Sequence, residues 1–600
     1  MHQQRLDPLA DFLPAGLSQV TSTFLAFLPV LVLFYLLVVK RWEAPLAGAV
    51  AGFTAFLVAV FVYRMPWAMG LFAYLNGALF GLLPIGWTVI SAMMLYNLTV
   101  ETGCFASIKR SVETLSGDPR IQAVLIGFCF GAFLEGAAGS GTPVAICGAI
   151  LVGLGFHPIQ AAVLCLLANT SPVAYGGLGT PMMVLGNVTE IPPETLSVMA
   201  AHQLPFLSLL VPLYMTICLA GVRGALQVWP VLLVSGGSFA AFQYAFATFH
   251  TWVPGVMLFL MTDIGGGFFS LGCTALFLSY FWKGQRELPF PPPVELPPGD
   301  VAHFGAGDSP RESTEEPKRV SVFVGWLPFL LMSVFLVVFG LLRQSEEKTV
   351  HGFDLGGISS RYKYPMPMLH NLSVRDPALL APGAPSIPEK AEYSLNWLTT
   401  PGSSVFFSIL LSVVILRPSF GQIGTVITST ARQMVIPIPT IAVMLGMSYL
   451  TRFAGMDATL GIAFAQTGAL YPFFAAMLGW LGVFLTGTDA GSNALFGSLQ
   501  KITAIEVHGT GVLPLSSAQA QVLLCTANST GGVMGKMIDA QSIVVATSAT
   551  GQSGKEAEIF KKVVWHSVVL AAVVGLITMA QAYLWPFTGM VPSYEVQGKE

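Results

Sequence analysis

Residues 131–143 read GAFLEGAAGSGTP, and they decide the fold because Glu135 is the only formal charge in the apolar, glycine-broken stretch 121–189. Residues 482–493 read GVFLTGTDAGSN, which repeats the Gly-x-Phe-Leu-x-Gly frame and again carries one acid, Asp489. Keeping a lone carboxylate inside a bilayer is costly, so an acid in such a setting is a functional candidate. Two of them in matching segments predict a transport site.

Composition places the chain among polytopic membrane proteins. Of the 600 residues, 54% are hydrophobic and only 10% are charged, which is far from the composition of a soluble globular protein. Uncharged runs long enough to cross a bilayer recur along the chain and predict an all-α protein with about 12–14 transmembrane helices. The formal net charge of −3 and the lack of a basic patch argue against nucleic-acid binding.

Polar segments divide the chain. We predict a polar N-terminus at 1–21, a first transmembrane repeat at 22–225, and connecting transmembrane helices at 226–345 with a proline-rich polar linker at 283–319. A polar loop at 346–402 and a second transmembrane repeat at 403–590 follow.

Two further landmarks support the internal repeat. PIGWTVISAMMLY at 84–96 matches PIPTIAVMLGMSY at 437–449, and VLCLLANTS at 163–171 matches VLLCTANST at 522–530. Together with the glycine motifs, the landmarks occur in the same order in both halves. Matching Gly- and Pro-interrupted segments in two halves are typical of a secondary transporter whose substrate site lies where the repeats meet. The sequence leaves open whether the copies are parallel or inverted.

The glycine motifs predict broken helices, with a new helix capped by Thr142 and starting at Pro143 in the first copy and a similar start at 491–493 in the second. Glycines permit non-helical backbone, Thr is a common N-cap, and Pro suits the first helical position. The free N–H groups of such a helix start suit a carboxylate. The alternative is that the glycines only allow close helix packing. The predicted substrate-binding residues here are Gly139, Ser140, Gly141, Thr142 and Pro143, with Ser492 and Asn493 in the second copy.

Two polar triplets at what reads as helix interruptions add further candidates. Amide and hydroxyl groups can recognise a small polar solute without adding charge; alternatively, they hold helices together. The triplets are Asn169, Thr170 and Ser171 in the first half and Asn528, Ser529 and Thr530 in the second. Lys536 and Arg432 are candidate counter-charges for an anion, although Lys536 equally fits a basic residue whose head reaches the membrane surface.

The acids themselves are candidates for coupling. Removal from water disfavours the charged form of a carboxyl group, so Glu135 or Asp489 could bind a proton on one side of the membrane and release it on the other.

Enzymatic and cofactor-dependent readings find little support. GGVMGKM at 531–537 lacks the residues of a phosphate-binding loop, and the histidines form no His-Glu-x-x-His pair. The seven cysteines contain no Cys-x-x-Cys pair and read as packing residues. We therefore expect no enzyme activity, no cofactor and no metal.

Several motifs resemble the bacterial L-lactate permease family. They include FLEGAAG at 133–139, GLGF at 153–156, NALFGSL at 493–499 and GKMI at 535–538. The resemblance covers most of the chain outside the polar linker at 283–319 and the polar loop at 346–402. It implies a multi-pass symporter of the bacterial cytoplasmic (inner) membrane that takes up L-lactate, and often glycolate, with protons, and that is built on inverted repeats.

The chain departs from the family pattern close to the predicted site. Ser140 and Thr142 stand where an apolar pair is usual, and Asp539-Ala540 replaces a Ser-Pro pair. These changes add hydrogen-bonding groups and a carboxylate. Sodium-coupled transport of a carboxylate or another anion, and a membrane sensor that binds without transport, remain the alternatives.

Overall fold

The computed structural model describes residues 2–5, 7–40, 42–113, 115–139, 142–253, 258–282, 320–347, 352–354, 356, 358–374, 388–552 and 555–595. Within these ranges the chain is a bundle of α-helices with a small polar cap, which confirms the all-α class. The predicted linker at 283–319 lies outside the described residues.

The helices of the first part end at the turn that follows Gln227. Short π-helical stretches extend or join some of them, and one, Val124–Phe130, connects α6 directly to α7. The bounds are α1 (Ala15–Phe34), α2 (Ala44–Leu57), α3 (Trp67–Phe80), α4 (Trp87–Glu101), α5 (Cys104–Glu113), α6 (Pro119–Ala123), α7 (Gly131–Ala138), α8 (Thr142–Gly153), α9 (Pro158–Ala168), α10 (Gly176–Thr189), α11 (Pro193–Ala201) and α12 (Leu204–Gln227).

Three connecting helices and the cap follow. The helices are α13 (Trp229–Trp252), α14 (Thr262–Tyr280) and α15 (Val322–Glu347). In the cap, β2 (Arg361–Pro365) pairs antiparallel with β4 (Glu392–Asn396), with Arg361 opposite Asn396. The N-terminal β1 (His2–Gln3) pairs parallel with β3 (Ser373–Val374), so the N-terminus lies at the cap end of the bundle.

The second part carries the remaining helices. Ser419 and Ser516 begin α17 and α22 with capping boxes, in which each serine bonds a glutamine three residues later. The bounds are α16 (Pro401–Leu416), α17 (Phe420–Met434), α18 (Pro437–Ala454), α19 (Met456–Ala465), α20 (Tyr471–Thr486), α21 (Asp489–Gly509), α22 (Ser517–Gly535), α23 (Ala540–Ala549) and α24 (Glu556–Tyr583).

The helices have the length and composition of membrane spans. Among the described residues, six helical stretches are long and apolar enough to cross a bilayer, or nine if each of three bent pairs is one span. Four shorter apolar helices accompany them. One long stretch, Pro119–Ala137, is entirely buried inside the protein. The chain is a multi-pass membrane protein; the number of 12–14 crossings stays a prediction.

The two halves contact each other through matching elements. We call α7–α8 the first hairpin and α20–α21 the second. In the first half, α10 packs against α21 of the second hairpin, and in the second half, α23 packs against α8 of the first hairpin. The exchange is reciprocal, as expected for related repeats.

The two hairpins enter the bundle from opposite ends. At the cap end, Gln4 bonds the Arg452 carbonyl, and the Arg452 side chain forms an ion pair with Glu190. Lys501 on α21 donates to the carbonyl of the adjacent Thr189 (2.5 Å), so this part of α21 lies at the cap end. The span that leads into α7 instead begins where Arg120 bonds Gly224 and Gln227, at the far end of α12. This is the geometry of an inverted repeat.

Candidate functional site

The first hairpin is broken where the sequence predicts it. α7 ends at Ala138, and Gly139 takes a φ of +61° that an L side chain rarely adopts. α8 then begins at Thr142 with Pro143 as its second residue, one position from the predicted start. Ser140 and Gly141 lie outside the described residues, and so does the side chain of Thr142.

The second hairpin is broken in the same way. α20 ends at Thr486, and Gly487 takes a φ of +74°. Thr488 then caps α21, since its side chain accepts a hydrogen bond from the N–H of Gly491 (2.9 Å). The helix therefore begins at Asp489, earlier than the predicted start at 491–493. The prediction of a broken helix in each half is confirmed.

Asp489 is held by hydrogen bonds from two neighbouring side chains. Its Oδ2 accepts from the Ser529 hydroxyl (2.5 Å) and from the Asn493 amide (3.4 Å). The side chain lies against Gly532, where a Cβ would overlap Oδ1. Asp489 is only 2% exposed, so these contacts fix the carboxyl inside the protein.

Asn528 extends this bonding across α21. Its amide donates to Asn493 Oδ1 (2.9 Å) and Ser492 Oγ (3.3 Å), and its Oδ1 accepts from Gln500 (3.2 Å). Asn493 in turn donates to the carbonyl of Pro181 on α10, in the other half (3.1 Å). We call Asp489, Ser492, Asn493, Gln500, Asn528 and Ser529 the second-half network.

The predicted interruption at residues 528–532 is wrong. These residues lie inside the continuous helix α22. The glycines here serve close packing against α20, because a Cβ at Gly531 would overlap the carbonyl of Ala476. Thr530 donates to Gln203 (2.6 Å) at the start of α12 instead of joining the second-half network.

The corresponding groups of the first half are bonded differently. Asn169 follows the end of α9 and faces Glu135, which is 3% exposed. Among the described residues, Glu135 Oε2, both amide atoms of Asn169 and the hydroxyl of Ser171 have no hydrogen-bond partner. We call Glu135, Asn169 and Ser171 the first-half cluster. Thr170 does not belong to it, because its hydroxyl donates to the carbonyl of Leu167 (2.7 Å).

A strained turn closes the first-half cluster. Gly177, Leu178 and Gly179 all have left-handed backbone angles at the start of α10. A left-handed residue with a side chain costs roughly 1–2 kcal/mol, and such strain concentrates at functional sites. The turn lies against the first hairpin at two points. Gly177 contacts Gly139, and a Cβ at Gly176 would lie 2.6 Å from Glu135 Oε1.

Lys536 is the cation at the centre. Its ammonium donates to the carbonyl of Gly487 in the second break (2.6 Å) and lies 3.3 Å from the Asp539 carboxylate. Both side chains are buried, and Lys536 also acts electrostatically on Glu135 and Asp489. Arg432 lies on the exposed side of α17 and is not among the charges that face either acid.

One acid near the centre escaped the sequence analysis. Asp263, in the first turn of α14, is fully buried and is an electrostatic neighbour of Glu135. It is the only Asp, Glu, Lys or Arg in residues 224–282. A lone acid in an apolar stretch is the same signal that identifies Glu135, but Asp263 lies outside the two repeated motifs.

The arrangement suits a small solute that carries both donors and acceptors. The Asn169 amide, whose donor and acceptor have no partner among the described residues, faces a buried carboxyl group, and α8 begins shortly after the break that follows this acid.

Comparison with known proteins matches residues 22–585 to the family model described as L-lactate permease. The chain is 39% identical to the L-lactate permease of Bacillus subtilis over 97% of its length and 99% of that protein. It is 39% identical to the glycolate permease GlcA of Escherichia coli K12, over 95% of this chain and 97% of that protein. It is 36% identical to the L-lactate permease of the same strain, over 98% and 99%.

Proposed function

Because this chain belongs to the L-lactate permease family, we propose that it carries L-lactate, glycolate or a related 2-hydroxymonocarboxylate across the membrane together with protons. Its relatives are permeases, and its own helices are those of a multi-pass protein of the bacterial cell membrane. The substrate class is supported by the names of both kinds of relative, and proton coupling by the charges of the site.

The observation that carries the proposal is the imbalance of buried charge. Among the described residues, the groups that act on one another at the centre are Glu135, Asp263, Asp489 and Asp539, with Lys536 as the one cation. Two like charges about 5 Å apart repel by roughly 3 kcal/mol at an effective dielectric constant of 20. A monocarboxylate therefore enters such a site more readily when carboxyl groups there are protonated, which links the anion to a proton.

Glu135 is the better of the two predicted coupling acids. Asp489 Oδ2 accepts hydrogen bonds from two side chains, which hold the carboxyl in place, while Oδ1 has no partner among the described residues. Glu135 Oε2 has no partner in the described part of the chain and lies beside the strained turn at 177–179. An acid that gains and loses a proton in each cycle needs surroundings that tolerate both the charged and the neutral state. Glu135 has fewer side-chain hydrogen bonds that favour one state than Asp489 has.

The first-half cluster is the proposed substrate site. The Asn169 amide can donate to the carboxylate, while its Oδ1 can accept from the 2-hydroxyl group. The first turn of α8, which begins at Thr142, adds backbone N–H groups without intrahelical partners and a favourable dipole, although Pro143 itself has no N–H. α21 is less suited to this task, because its first turn already holds its own acid, Asp489. Ser492, Asn493, Asn528 and Ser529 then act as support.

Transport into proteoliposomes tests the proposal. Labelled L-lactate is offered with an inward proton gradient, with an inward sodium gradient or with neither, and unlabelled glycolate and propionate are tested as competitors. We expect accumulation with the proton gradient alone and competition by glycolate. Propionate should compete at least about tenfold more weakly, since a site built to bond a hydroxyl leaves polar groups unpaired without it.

Other outcomes contradict the proposal in different ways. Accumulation driven only by sodium rejects proton coupling. Equal competition by propionate rejects recognition of the 2-hydroxyl group. Binding without any uptake, in protein shown to be inserted in the vesicles, indicates a sensor.

A further inference from the structure

Asp263 is a buried acid that neither repeat contains. It begins α14 directly after the short 3₁₀ turn Phe259–Met261, and it is fully buried. Neither of its carboxyl oxygens has a hydrogen-bond partner among the described residues. The start of α14 offers Asp263 a favourable helix dipole, but no hydrogen bond offsets the burial of its carboxyl group, and an unpaired acid in an apolar span is a functional candidate.

Close helix contact brings Asp263 next to Glu135. A Cβ at Gly136 would lie 2.5 Å from the N atom of Ile264 and 2.9 Å from the carbonyl carbon of Asp263. One turn further along α14, a Cβ at Gly267 would overlap the N atom of Phe133 on α7. Glycines on both helices thus place the two backbones in contact at the position of the two acids.

Few other charged groups face these two carboxyls. Lys536 and Asp539 act on Glu135, and Tyr175 lies close enough to interact with Asp263. Lys536 already contacts Asp539 and the Gly487 carbonyl, so its charge is shared. Among the charged groups in the described part of the chain, Glu135 is the one that acts on Asp263, and neither Asp263 oxygen nor Glu135 Oε2 has a hydrogen-bond partner there.

We infer that Asp263 and Glu135 form one proton-binding pair, and that this pair, instead of Glu135 alone, couples the proton to the substrate. Two carboxylates that share an apolar site do not both ionise readily, so the pair retains one proton. The arriving anion brings a further negative charge, and the pair then takes up a second proton from water. Release of that proton with the anion on the other side moves one proton and one monocarboxylate without net charge.

This inference rests on the proposed function, and proteoliposomes separate the two. Wild-type protein and the variants Asp263→Asn, Asp263→Glu and Glu135→Gln are compared in two assays. The first measures exchange of labelled L-lactate at equal pH on both sides. The second measures accumulation under a gradient of about one pH unit, which an electroneutral one-proton symporter converts to about tenfold accumulation.

Thr262→Val serves as the matched control. Thr262 is the buried neighbour of Asp263 in the same helical turn, and its hydroxyl donates to the Phe259 carbonyl (2.9 Å). This variant perturbs the start of α14 without touching a carboxyl group. We expect it to exchange and accumulate L-lactate as the wild type does.

For the pair we expect Asp263→Asn and Glu135→Gln to keep exchange and lose accumulation, whereas Asp263→Glu keeps both. Normal accumulation by Asp263→Asn would overturn the inference and leave Glu135 as the coupling acid. Loss of exchange in Asp263→Asn that Asp263→Glu does not restore would also overturn it, because the residue would then be structural. If the wild type transports neither L-lactate nor glycolate, the proposed function itself fails.

Discussion

In the second half of the molecule, Asp489 receives hydrogen bonds from Ser529 and Asn493, and Asn528 ties Asn493 to Gln500. In the first half, the amide of Asn169 and one oxygen of Glu135 have no partner among the described residues. Both halves break a helix at a glycine beside a lone acid. The same backbone design therefore holds a bonded network on one side and an unbonded cluster on the other.

This difference indicates a division of labour. A bonded polar network makes a rigid support, and in the second half Asp489 Oδ1 is the one network atom without a partner among the described residues. Buried groups without partners carry a cost that a ligand or a proton can remove. The two repeats thus share a backbone design but differ in their tasks. The second-half network holds its side chains in place, and the first-half cluster binds the substrate. Substitutions at equivalent positions should consequently have unlike effects.

Neutral replacements of the two acids should give the largest contrast. Glu135→Gln should abolish proton-driven accumulation of L-lactate while exchange continues, because a glutamine cannot take up the coupled proton. Asp489→Asn keeps an acceptor for the Ser529 hydroxyl and should still accumulate the substrate. Both are measured in proteoliposomes at matched protein content. Accumulation by Glu135→Gln, or its loss in Asp489→Asn alone, would reverse the assignment.

Asn528→Ala should mainly affect stability. It removes three hydrogen bonds and leaves buried groups of Asn493 and Gln500 unpaired, which costs about 2–5 kcal/mol in total. We expect a lower melting temperature of the purified protein and less protein in the membrane. A melting temperature equal to that of the wild type would show that the second-half network is not a support.

Asn169→Ala makes the same change in the first half and should mainly affect transport. The amide has no partner in the described part of the chain, so the melting temperature should stay close to that of the wild type. A lost bond to a charged group is worth about 1.5–3 kcal/mol, so KM for L-lactate should rise by roughly 10- to 150-fold. An unchanged KM with normal expression would exclude Asn169 from the substrate site.

Thr170→Val should have the smallest effect. The Thr170 hydroxyl is occupied by the Leu167 carbonyl, and valine has nearly the same volume. We expect KM to stay within about twofold of the wild type and the free energy of unfolding to fall by about 0.5–1.5 kcal/mol, the value of the one buried hydrogen bond that is lost. A KM as high as that of Asn169→Ala would mean that this hydroxyl turns toward the substrate during transport.

The broken helices and the acids beside them could be predicted from the sequence, because glycine and proline restrict or free the local backbone and a lone acid in an apolar stretch marks a functional candidate. Breaks at Gly139 and Gly487 followed from the freedom of glycine to take a positive φ. The sequence predicts the second helix start at 491–493, but α21 begins at Asp489 because the Thr488 side chain caps it.

Other features depend on long-range packing. The sequence of the glycine pair after Thr530 does not show whether it breaks a helix or allows another helix to pack closely. The contact of Gly531 with Ala476 shows that it allows close packing. The proximity of Asp263 to Glu135 joins residues more than a hundred positions apart. The unequal bonding of Asn169 and Asn528 likewise depends on the contacts of Asn528 with Gln500 and Ser492, and no local pattern predicts these contacts.

A structure of the protein with L-lactate bound tests the central claim most directly. The account predicts a ligand in contact with the Asn169 amide and next to Glu135, with the Asn528 and Asp489 hydrogen bonds unchanged. L-Lactate bound instead to Asp489, Asn493 or Ser529, with the first-half cluster untouched, would contradict it.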